Sequence, residues 1–390
     1  MGPARPRLSG LAVRVAPVRT DADIRRFVDV PFVLYARTPQ ANWVPPLKRT
    51  VHEALDQRRN PFFREAARAC FVAESGGRVL GRIAAIENHA AMRYHGDRTG
   101  FWGFFECIDD QRVADALFDA AAGWLSARGL TSMLGPMNPS TNHDCGLLVE
   151  GFEHRATFMT TWNPPYYESL CLGAGLAKAK DLLGLWFPVG EPVFRLPSSV
   201  DRLAERALGR RRIEFHELDR WHLKRDLALC WELYNAAWAD NWGFVPVSYE
   251  EWVYMTKDVW LVVRSDCSFV ATVDGVPAAF ALAFPDYNEA LYANRGGNAI
   301  PVGIARMLWH KSRARHFRVM ALGVAPAFRS RGVLALFMRE CVRRTKVVGC
   351  VGLEGSWLLE DNIHIVQPMR AMGARDRMRW RLYERPIVAV

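Results

Sequence analysis

A basic, glycine-containing turn between a strand-like and a helix-like segment is the part of this sequence best suited to chemistry. The segment VMALGVAPAFRSRGVL spans residues 319–334, and its turn contains Arg329, Ser330, Arg331 and Gly332. A turn that opens a helix directs several free backbone N–H groups at one point, where the helix dipole adds positive potential. Gly332 would let a ligand approach the backbone, and the arginines supply positive charge. The turn therefore predicts a phosphate or pyrophosphate site, the alternative being an ordinary connection with solvated arginines.

Two further places in the sequence could move a proton. Glu354 ends a strand-like run in GLEGSWLLEDN, where it could act as a general base or as a hydrogen-bonded carboxylate that braces the strands. The stretch GPMNPSTNHDCG places His143 beside Asp144 at the exit of an earlier strand, and an imidazole can titrate near neutrality. The same stretch could instead be a turn that its own polar side chains cap.

The elements that position these residues follow a plan that occurs twice. FVAESGGRVLGRIAA and FVATVDGVPAAFALA each predict a β-hairpin around a glycine-containing turn. In each half a third strand, an amphipathic helix, a fourth strand and a last strand after a glycine follow. The sequence therefore predicts an α/β fold with mixed sheets (α+β), built from two copies of one unit at 11–190 and 191–390.

The two copies differ at the turn that opens their amphipathic helix. Where the second copy has its arginines and Gly332, the first has CIDDQR, with Asp109 and Asp110 before the helix. Two carboxylates at a helix N-terminus are good caps, but they would repel a pyrophosphate. We therefore expect the first copy to keep the fold without binding a cofactor.

Composition narrows the classes of partner and the compartment. The 51 basic and 41 acidic residues give a net charge of +10, which suits cofactor phosphates or an acidic membrane face. No nucleic-acid-binding signature accompanies this charge, so we expect no nucleic-acid partner. The eight cysteines are scattered without zinc spacing, and we expect reduced thiols, no metal and a cytoplasmic protein. No apolar run approaches the roughly 20 residues that span a bilayer.

Residues 329–334 resemble motif A of the GNAT acyltransferase superfamily, Q/R-x-x-G-x-G/A. Arg329, Gly332 and Leu334 stand at its three defined positions, with Leu334 in place of the usual glycine or alanine. Together with the repeated plan, this makes the whole chain resemble a tandem GNAT protein whose N-terminal copy is degenerate. The resemblance implies one acyl-CoA co-substrate, bound by the second copy.

The same resemblance assigns the residues around that co-substrate. In GNAT proteins the strand before motif A separates from its neighbour, and the pantetheine arm adds to it like a further strand. This implies cofactor contacts by the strand residues, the motif A turn and one residue beyond the next strand: Leu322, Gly323, Val324, Arg329, Ser330, Arg331, Gly332, Val333, Leu334 and Asn362. The catalytic candidates are Glu354, His143 and Asp144, and the first copy would form one wall of the acceptor pocket.

Motifs spread over the chain sharpen the resemblance. WVPPL, NPFF, GFFE, NPPYY, NWGFVP and SWLLEDN together resemble a bacterial two-domain group that includes the bacterial ceramide synthases. This implies N-acylation of a long-chain sphingoid base, such as sphinganine or 3-ketosphinganine. Basic stretches at 200–212 and 306–318 could then meet an anionic membrane, at the inner face of the bacterial inner membrane, or be solvated helix faces. The alternatives are a short-chain acetyltransferase acting on a soluble amine and a non-catalytic acyl-CoA or lipid-binding protein.

Overall fold

A mixed sheet of 13 strands runs through both halves of the chain in the computed structural model. The structure describes residues 12–37, 42–192, 194–218, 222–329 and 331–387. All eight cysteines lie within these ranges and are buried and unpaired, as expected. The α/β fold with a mixed sheet is confirmed.

The described residues of the first half form five helices and nine strands. In chain order they are β1 (Arg14–Pro17), α1 (Asp21–Arg37), α2 (Lys48–Leu55), β2 (Ala66–Ser75), β3 (Arg78–Asn88), α3 (His89–His95), β4 (Thr99–Cys107), α4 (Gln111–Ser126), β5 (Ser132–Gly135), β6 (Met137–Asn138), β7 (Asp144–Cys145), β8 (Leu147–Glu150), α5 (Tyr167–Gly173) and β9 (Ala177–Phe187). A short 3-10 turn, Pro61–Arg64, precedes β2.

The second half repeats the order with additional helices. Its elements are α6 (Ser198–Leu208), β10 (Ile213–Glu217), α7 (Leu223–Trp238), α8 (Tyr249–Thr256), α9 (Val259–Val262), β11 (Phe269–Val273), β12 (Val276–Pro285), α10 (Asn288–Leu291), α11 (Ile304–Lys311), β13 (His316–Val324), α12 (Arg331–Val347), β14 (Gly352–Leu359), α13 (Ile363–Ala371) and β15 (Arg375–Pro386). A π-helical turn, Ala299–Gly303, leads into α11, and a 3-10 turn, Pro326–Phe328, follows β13.

Both predicted hairpins are present, and their turns explain them. Gly76 and Gly77 join β2 to β3, and Asp274 and Gly275 join β11 to β12, with positive φ at all four residues. Two consecutive residues with positive φ match the twist of the flanking strands, and glycine and aspartate adopt this conformation most readily. The hairpins therefore form from local sequence alone.

Each hairpin has helices on both faces, because successive side chains point to opposite sides of a strand. In the first half, Ala73 packs with α4 in one apolar cluster, whereas its neighbour Val72 packs with α1 in another. In the second half, Ala271 packs with α12, and Val270 packs with α7 and α8. Asp110 caps α4 by accepting the N–H of Arg112, as its position before the helix predicted.

The last strands of the two halves are exchanged, which the repeat alone does not predict. The order across the sheet is β1-β2-β3-β4-β5-β15-β9-β14-β13-β12-β11-β10, and the thirteenth strand, β8, pairs with β15. Strand β15 therefore lies beside β5 of the first half, and β9 lies beside β14 of the second. The two exchanged strands also pair with each other along most of their length. The boundary near residue 190 stays a prediction. Each of the two units that it defines places its last strand beside a strand of the other unit.

Separating the halves tests this exchange. We expect residues 12–190 and residues 191–387, produced alone, to be insoluble or molten, because β5 and β14 would each expose an edge that another strand normally covers. Circular dichroism and size-exclusion chromatography of each half report the outcome, with the two halves co-expressed as the control. Co-expression should restore a folded 1:1 complex. A monomeric, cooperatively folding half would contradict the prediction.

Candidate active site

The gap between β13 and β14 is the first feature of the candidate site. The two strands pair in parallel only over His316–Val319 with Gly352–Gly355. Strand β13 remains paired with β12 on its other side as far as Val324. Beyond Val319 the strands therefore diverge, and one edge of β13 is left without pairing to β14. The strand separation that the resemblance implied is present, and such an edge can pair with an extended ligand.

This gap opens into a large cavity shared by the two halves. Its volume is about 1690 Å³, above the roughly 300–1,000 Å³ that is common for a single small-molecule site. The second half lines it with residues of the gap, of α12 and of α13, and the first half lines it mostly with loop residues. Predicted site residues on its wall are Leu322, Gly323, Val324, Arg329, Leu334, Asn362, His143 and Asp144.

The aromatic loops of the sequence also converge on this cavity. Trp43, Trp162, Trp242 and Phe244 line it. The GPMNPSTNHDCG loop of the first half docks on the NWGFVP loop of the second: Thr141 Oγ1 donates to Gly243 O at 2.8 Å and Asn142 Nδ2 donates to Val245 O at 3.0 Å. Tyr234 of α7 adds a hydrogen bond from its Oη to Asn142 Oδ1 at 2.8 Å. Two stretches that are separate in the sequence thus form one wall of the site.

Two residues of the motif A turn differ from what the sequence suggested. The guanidinium of Arg329 donates to Val324 O at 3.1 Å and to Ala237 O at 2.6 Å, so it ties the end of β13 to α7. A Cβ on Gly332 would lie 2.9 Å from Leu203 O, so the missing side chain makes room for α6. The expectation that Gly332 leaves space for a ligand is wrong for that side of the residue. These contacts position the turn within the fold.

The other residues of the turn are placed as follows. The side chain of Val333 is buried in the apolar cluster between α12 and the β11–β12 hairpin. Leu334, where the motif has glycine or alanine, lines the cavity with its side chain. Ser330 lies outside the described residues, as does the side chain of Arg331. Their predicted roles stay predictions.

Glu354 lies behind the cavity wall in a buried polar network. It is 0% exposed, and its Oε1 accepts hydrogen bonds from Thr157 Oγ1 at 2.7 Å and from Ser356 Oγ at 2.8 Å. Its Oε2 has no hydrogen-bond partner among the described residues. Ser356 and Arg318 line the cavity, whereas Glu354 does not. This placement favours a bracing role over direct contact with a substrate.

Arg318 is the centre of this network, and the sequence analysis did not identify it. It was counted within the basic stretch 306–318, but it is a strand residue only 3% exposed. It donates to Ser356 Oγ at 3.0 Å and to Phe158 O at 2.9 Å. Burial lowers the pKa of Arg318, and the charges of Glu354, Asp144 and Asp286 oppose that shift. The signal in the sequence was a single charged residue inside the apolar strand FRVMALGVA.

Segment 156–159 of the first half is held by side chains of the second half. Asn288 Nδ2 donates a hydrogen bond to Ala156 O at 2.8 Å, and Thr157 Oγ1 donates one to Glu354 Oε1 at 2.7 Å. The backbone N–H of Phe158 donates to Asp286 Oδ1 at 2.9 Å. The guanidinium of Arg318 donates to Phe158 O at 2.9 Å and to Met159 O at 2.6 Å. Met159 has a φ of 60°, a conformation that a non-glycine residue rarely adopts. The network therefore fixes a strained segment of one half against the gap of the other.

His143 and Asp144 form the polar part of the cavity wall from the first half. His143 Nδ1 is 2.8 Å from Ser140 Oγ, and Phe62 packs edge-on against the imidazole. Loss of solvation lowers the pKa of His143 to about 4, so the ring is neutral at pH 7. Burial raises the pKa of Asp144, and the charge of Arg318 opposes that rise. His143 and Asp144 can both accept a proton. The sequence predicted that His143 titrates near neutrality, but its buried surroundings lower its pKa below that range.

Asp286 makes the stability of this network depend on pH. Burial raises the pKa of Asp286 from 3.8 to about 7, and the charges of Glu289 and Glu354 add smaller increases. The hydrogen bonds from the N–H groups of Asn288 and Phe158 oppose this rise. The folded state thus holds a proton that the unfolded state has lost between about pH 4 and 7. Protonation of Asp286 therefore stabilises the folded state fully below pH 4, and this stabilisation is lost as the pH rises through 7.

Asp286→Asn should therefore remove this dependence. We expect the unfolding free energy of the variant, relative to the wild type, to rise by roughly 2–4 kcal/mol between pH 4 and 8. Urea unfolding across that range measures it. Asp274→Asn is the matched control, because hydrogen bonds lower the pKa of that exposed turn carboxylate, led by the backbone N–H of Arg212. If the difference in unfolding free energy between Asp286→Asn and the wild type does not change with pH, the prediction is wrong.

Solved structures with this architecture are tandem acetyltransferases. A tandem GNAT protein from the clavulanic acid biosynthesis pathway superposes with a TM-score of 0.55 at 12% identity, covering 97% of this chain and 99% of its own. A GCN5-related N-acetyltransferase from Sphaerobacter thermophilus gives a TM-score of 0.51 at 13% identity, covering 96% of both chains. At these identities the likeness establishes the fold, which is a tandem GNAT fold.

Two curated bacterial proteins match the sequence over nearly its whole length, whereas no family model matches it. Protein YghO of Escherichia coli (strain K12) is 32% identical over 374 residues, or 94% of this chain and 93% of its own length. The bacterial ceramide synthase of Caulobacter vibrioides (strain NA1000 / CB15N) is 32% identical over 380 residues, or 96% and 97%. This chain belongs to the tandem GNAT group that includes the bacterial ceramide synthase. An acyltransferase function is supported on that basis.

In this tandem GNAT protein the first copy fills its own gap. Strands β4 and β5 pair in parallel only over Thr99–Phe101 with Ser132–Leu134, as in the second copy. Asn138 Oδ1 then accepts the N–H of Phe104, so the chain itself takes the place beside β4. A Cβ on Gly103 would lie 1.8 Å from Met137 O, which shows how closely the segment fits. This is a second reason, beside Asp109 and Asp110, for a degenerate first copy.

Membrane-spanning helices and metal-binding clusters are both absent from the described part of the chain. None of its helices is long and apolar enough to cross a membrane. Among the same residues, no group of three or more His, Cys, Asp and Glu side chains is arranged to hold a metal ion.

Proposed function

We propose that this protein is an acyl-CoA-dependent N-acyltransferase that forms an amide on a long-chain amine, a sphingoid base such as sphinganine or 3-ketosphinganine. The observation that carries the proposal is the single cavity that joins the β13–β14 gap to an apolar wall from the first half. Two substrates must meet in such a reaction, and the volume accommodates more than one small ligand. The bacterial ceramide synthase that matches 96% of the chain supports the choice of acceptor.

The acyl-CoA co-substrate would bind along the second copy. Its pantetheine arm would add to the open edge of β13 at Leu322, Gly323 and Val324, whose backbone can pair with an extended group. The pyrophosphate would lie at the start of α12, at Arg331 and Gly332, where the helix dipole favours negative charge. Asn362, on the cavity wall beyond β14, would contact the co-substrate from the other side of the gap.

The reaction requires a neutral amine at the thioester carbonyl. The amine nitrogen forms a bond to the carbonyl carbon, the carbon–sulfur bond breaks, and the amine's proton must leave as the thiolate takes one up. The low polarity of the cavity lowers the pKa of an alkylammonium ion, which favours the nucleophilic form. We assign the neutral imidazole of His143 to accept the proton and the carboxylate of Asp144 to attract the ammonium group.

Glu354 acts in this proposal as a positioning residue. Its carboxylate holds Ser356 and Thr157, one on each side of the junction between the halves. Through Ser356 it also orients Arg318, whose guanidinium holds segment 156–159. A positioning role predicts that Glu354→Gln changes the unfolding free energy together with kcat, whereas a base would affect kcat alone.

Release of free CoA by the purified protein tests the function. Acetyl-CoA and palmitoyl-CoA are each supplied with and without sphinganine or 3-ketosphinganine, and the product is identified by mass. We expect CoA release that needs both the long acyl donor and the sphingoid base, with an amide product. Release with acetyl-CoA and a soluble amine would support a short-chain acetyltransferase instead. Tight binding without turnover of any amine would indicate a binding protein.

A further inference from the structure

An exposed apolar stripe runs along the π-helical turn and α11. Val302, Leu308 and Trp309 are 44%, 48% and 63% exposed, and Pro301 and Ala305 between them are exposed as well. These positions recur three or four residues apart, so they lie on one side of the helix. The opposite side is buried through Met307 and His310. Neighbouring apolar groups exposed on one surface usually mark a contact with another molecule or a membrane.

The stripe is continuous with the cavity of the proposed site. Leu308 belongs to both, since it is exposed and also lines the cavity, and Ile304 and Met307 line the cavity beside it. Met255 of α8, 36% exposed, lines the cavity too. A long-chain amine that enters here would pass from the apolar stripe directly into the cavity.

Cationic side chains accompany the stripe. The guanidinium of Arg313 lies 4.5 Å from the ring centroid of Trp309, and Arg313 and Arg315 are exposed. The acidic Glu289 nearby is paired with His310 and His316. An apolar face with a tryptophan and flanking arginines is suited to the interface of a bilayer that contains anionic lipids.

The other basic stretch of the sequence is partly occupied by contacts within the protein. Helix α6 packs against α12, with Gly332 close to its backbone. Arg211 pairs with Asp274, and Arg212 pairs with Glu214. Positive charge combined with an exposed apolar stripe therefore favours α11 over α6.

We propose that the stripe Pro301, Val302, Ala305, Leu308 and Trp309 docks on an anionic lipid bilayer and admits the acceptor to the cavity from that bilayer. Docking would place the cavity mouth at the depth of the lipid head groups, so the amine would not need to cross water. The proposal rests on the proposed function for its acceptor, whereas the docking itself can be measured separately.

Vesicle sedimentation of the full chain tests the docking. We expect binding to vesicles of phosphatidylcholine with phosphatidylglycerol and weaker binding to phosphatidylcholine alone. The double variant Val302→Ser/Trp309→Ser should bind anionic vesicles roughly tenfold less tightly or weaker, since burying large apolar side chains contributes about that factor. Leu172→Ser/Val347→Ser removes equally exposed apolar side chains elsewhere and should bind as the wild type does.

Three outcomes would overturn the proposal. They are absence of wild-type binding to anionic vesicles, equal binding by the two double variants, and a change in solution mass for Val302→Ser/Trp309→Ser without a change in vesicle binding, which would indicate self-association. Amide formation with detergent-solubilised sphinganine is assayed in parallel. Docking that depends on Trp309 without amide formation would leave the surface intact and reject the proposed function alone.

Discussion

Arg318→Met should lower the unfolding free energy by about 3–5 kcal/mol and abolish measurable turnover, the largest effect expected of one substitution in this protein. Methionine has no charge and cannot donate hydrogen bonds, so Phe158 O, Met159 O and Ser356 O would lose their donor. Burying carboxylates without a compensating charge is more costly still. Segment 156–159 would no longer be held against the gap.

Chemical denaturation and CoA release measure the two effects. Arg339→Met is the matched control, because Arg339 is paired with Asp201 and Glu205 at the surface and such pairs contribute about 0–1 kcal/mol. The loss of unfolding free energy in Arg318→Met should also be smaller at low pH, because the carboxylates that surrounded the guanidinium become neutral there. Equal stability of the two variants at pH 7 would refute the central role of Arg318.

His143→Gln should lower kcat by roughly 10²–10⁴ and leave the unfolding free energy nearly unchanged. Glutamine is close in size and can keep a hydrogen bond to Ser140, but its amide does not accept a proton at any working pH. The low pKa of His143, about 4, means that the wild-type imidazole is already the acceptor form at pH 7. Wild-type kcat should therefore fall only on the acid side, as the pH approaches 4.

Steady-state kinetics over pH 4–9, with palmitoyl-CoA saturating, separates this role from a structural one. His154→Gln is the control, since His154 belongs to the same half, is half-buried and pairs with Glu153. Asp144→Asn should raise KM for the amine more than it lowers kcat. A His143→Gln variant with wild-type kcat would remove His143 from the chemistry and return attention to Glu354.

The sequence by itself determined the local elements and the difference between the two copies. The hairpins follow from glycine-containing turns, and α4 follows from its apolar spacing and the cap at Asp110. These features depend on residues a few positions apart, whose spacing is visible in the sequence. The motif A turn and the departure of β13 from β14 were predicted through the resemblance, because a family carries that local geometry with its motif.

Only the tertiary structure decided which distant residues meet. The exchange of β9 and β15 depends on which of several similar edges each strand covers, and periodicity does not distinguish them. Thr157 and Glu354 are hydrogen-bonded although they are 197 residues apart. Gly332 was expected to leave room for a ligand, but α6 takes up the space on the side where a Cβ would lie. Burial changed the expected protonation of His143, because desolvation depends on everything packed around a group and no spacing of neighbours in the sequence reports it.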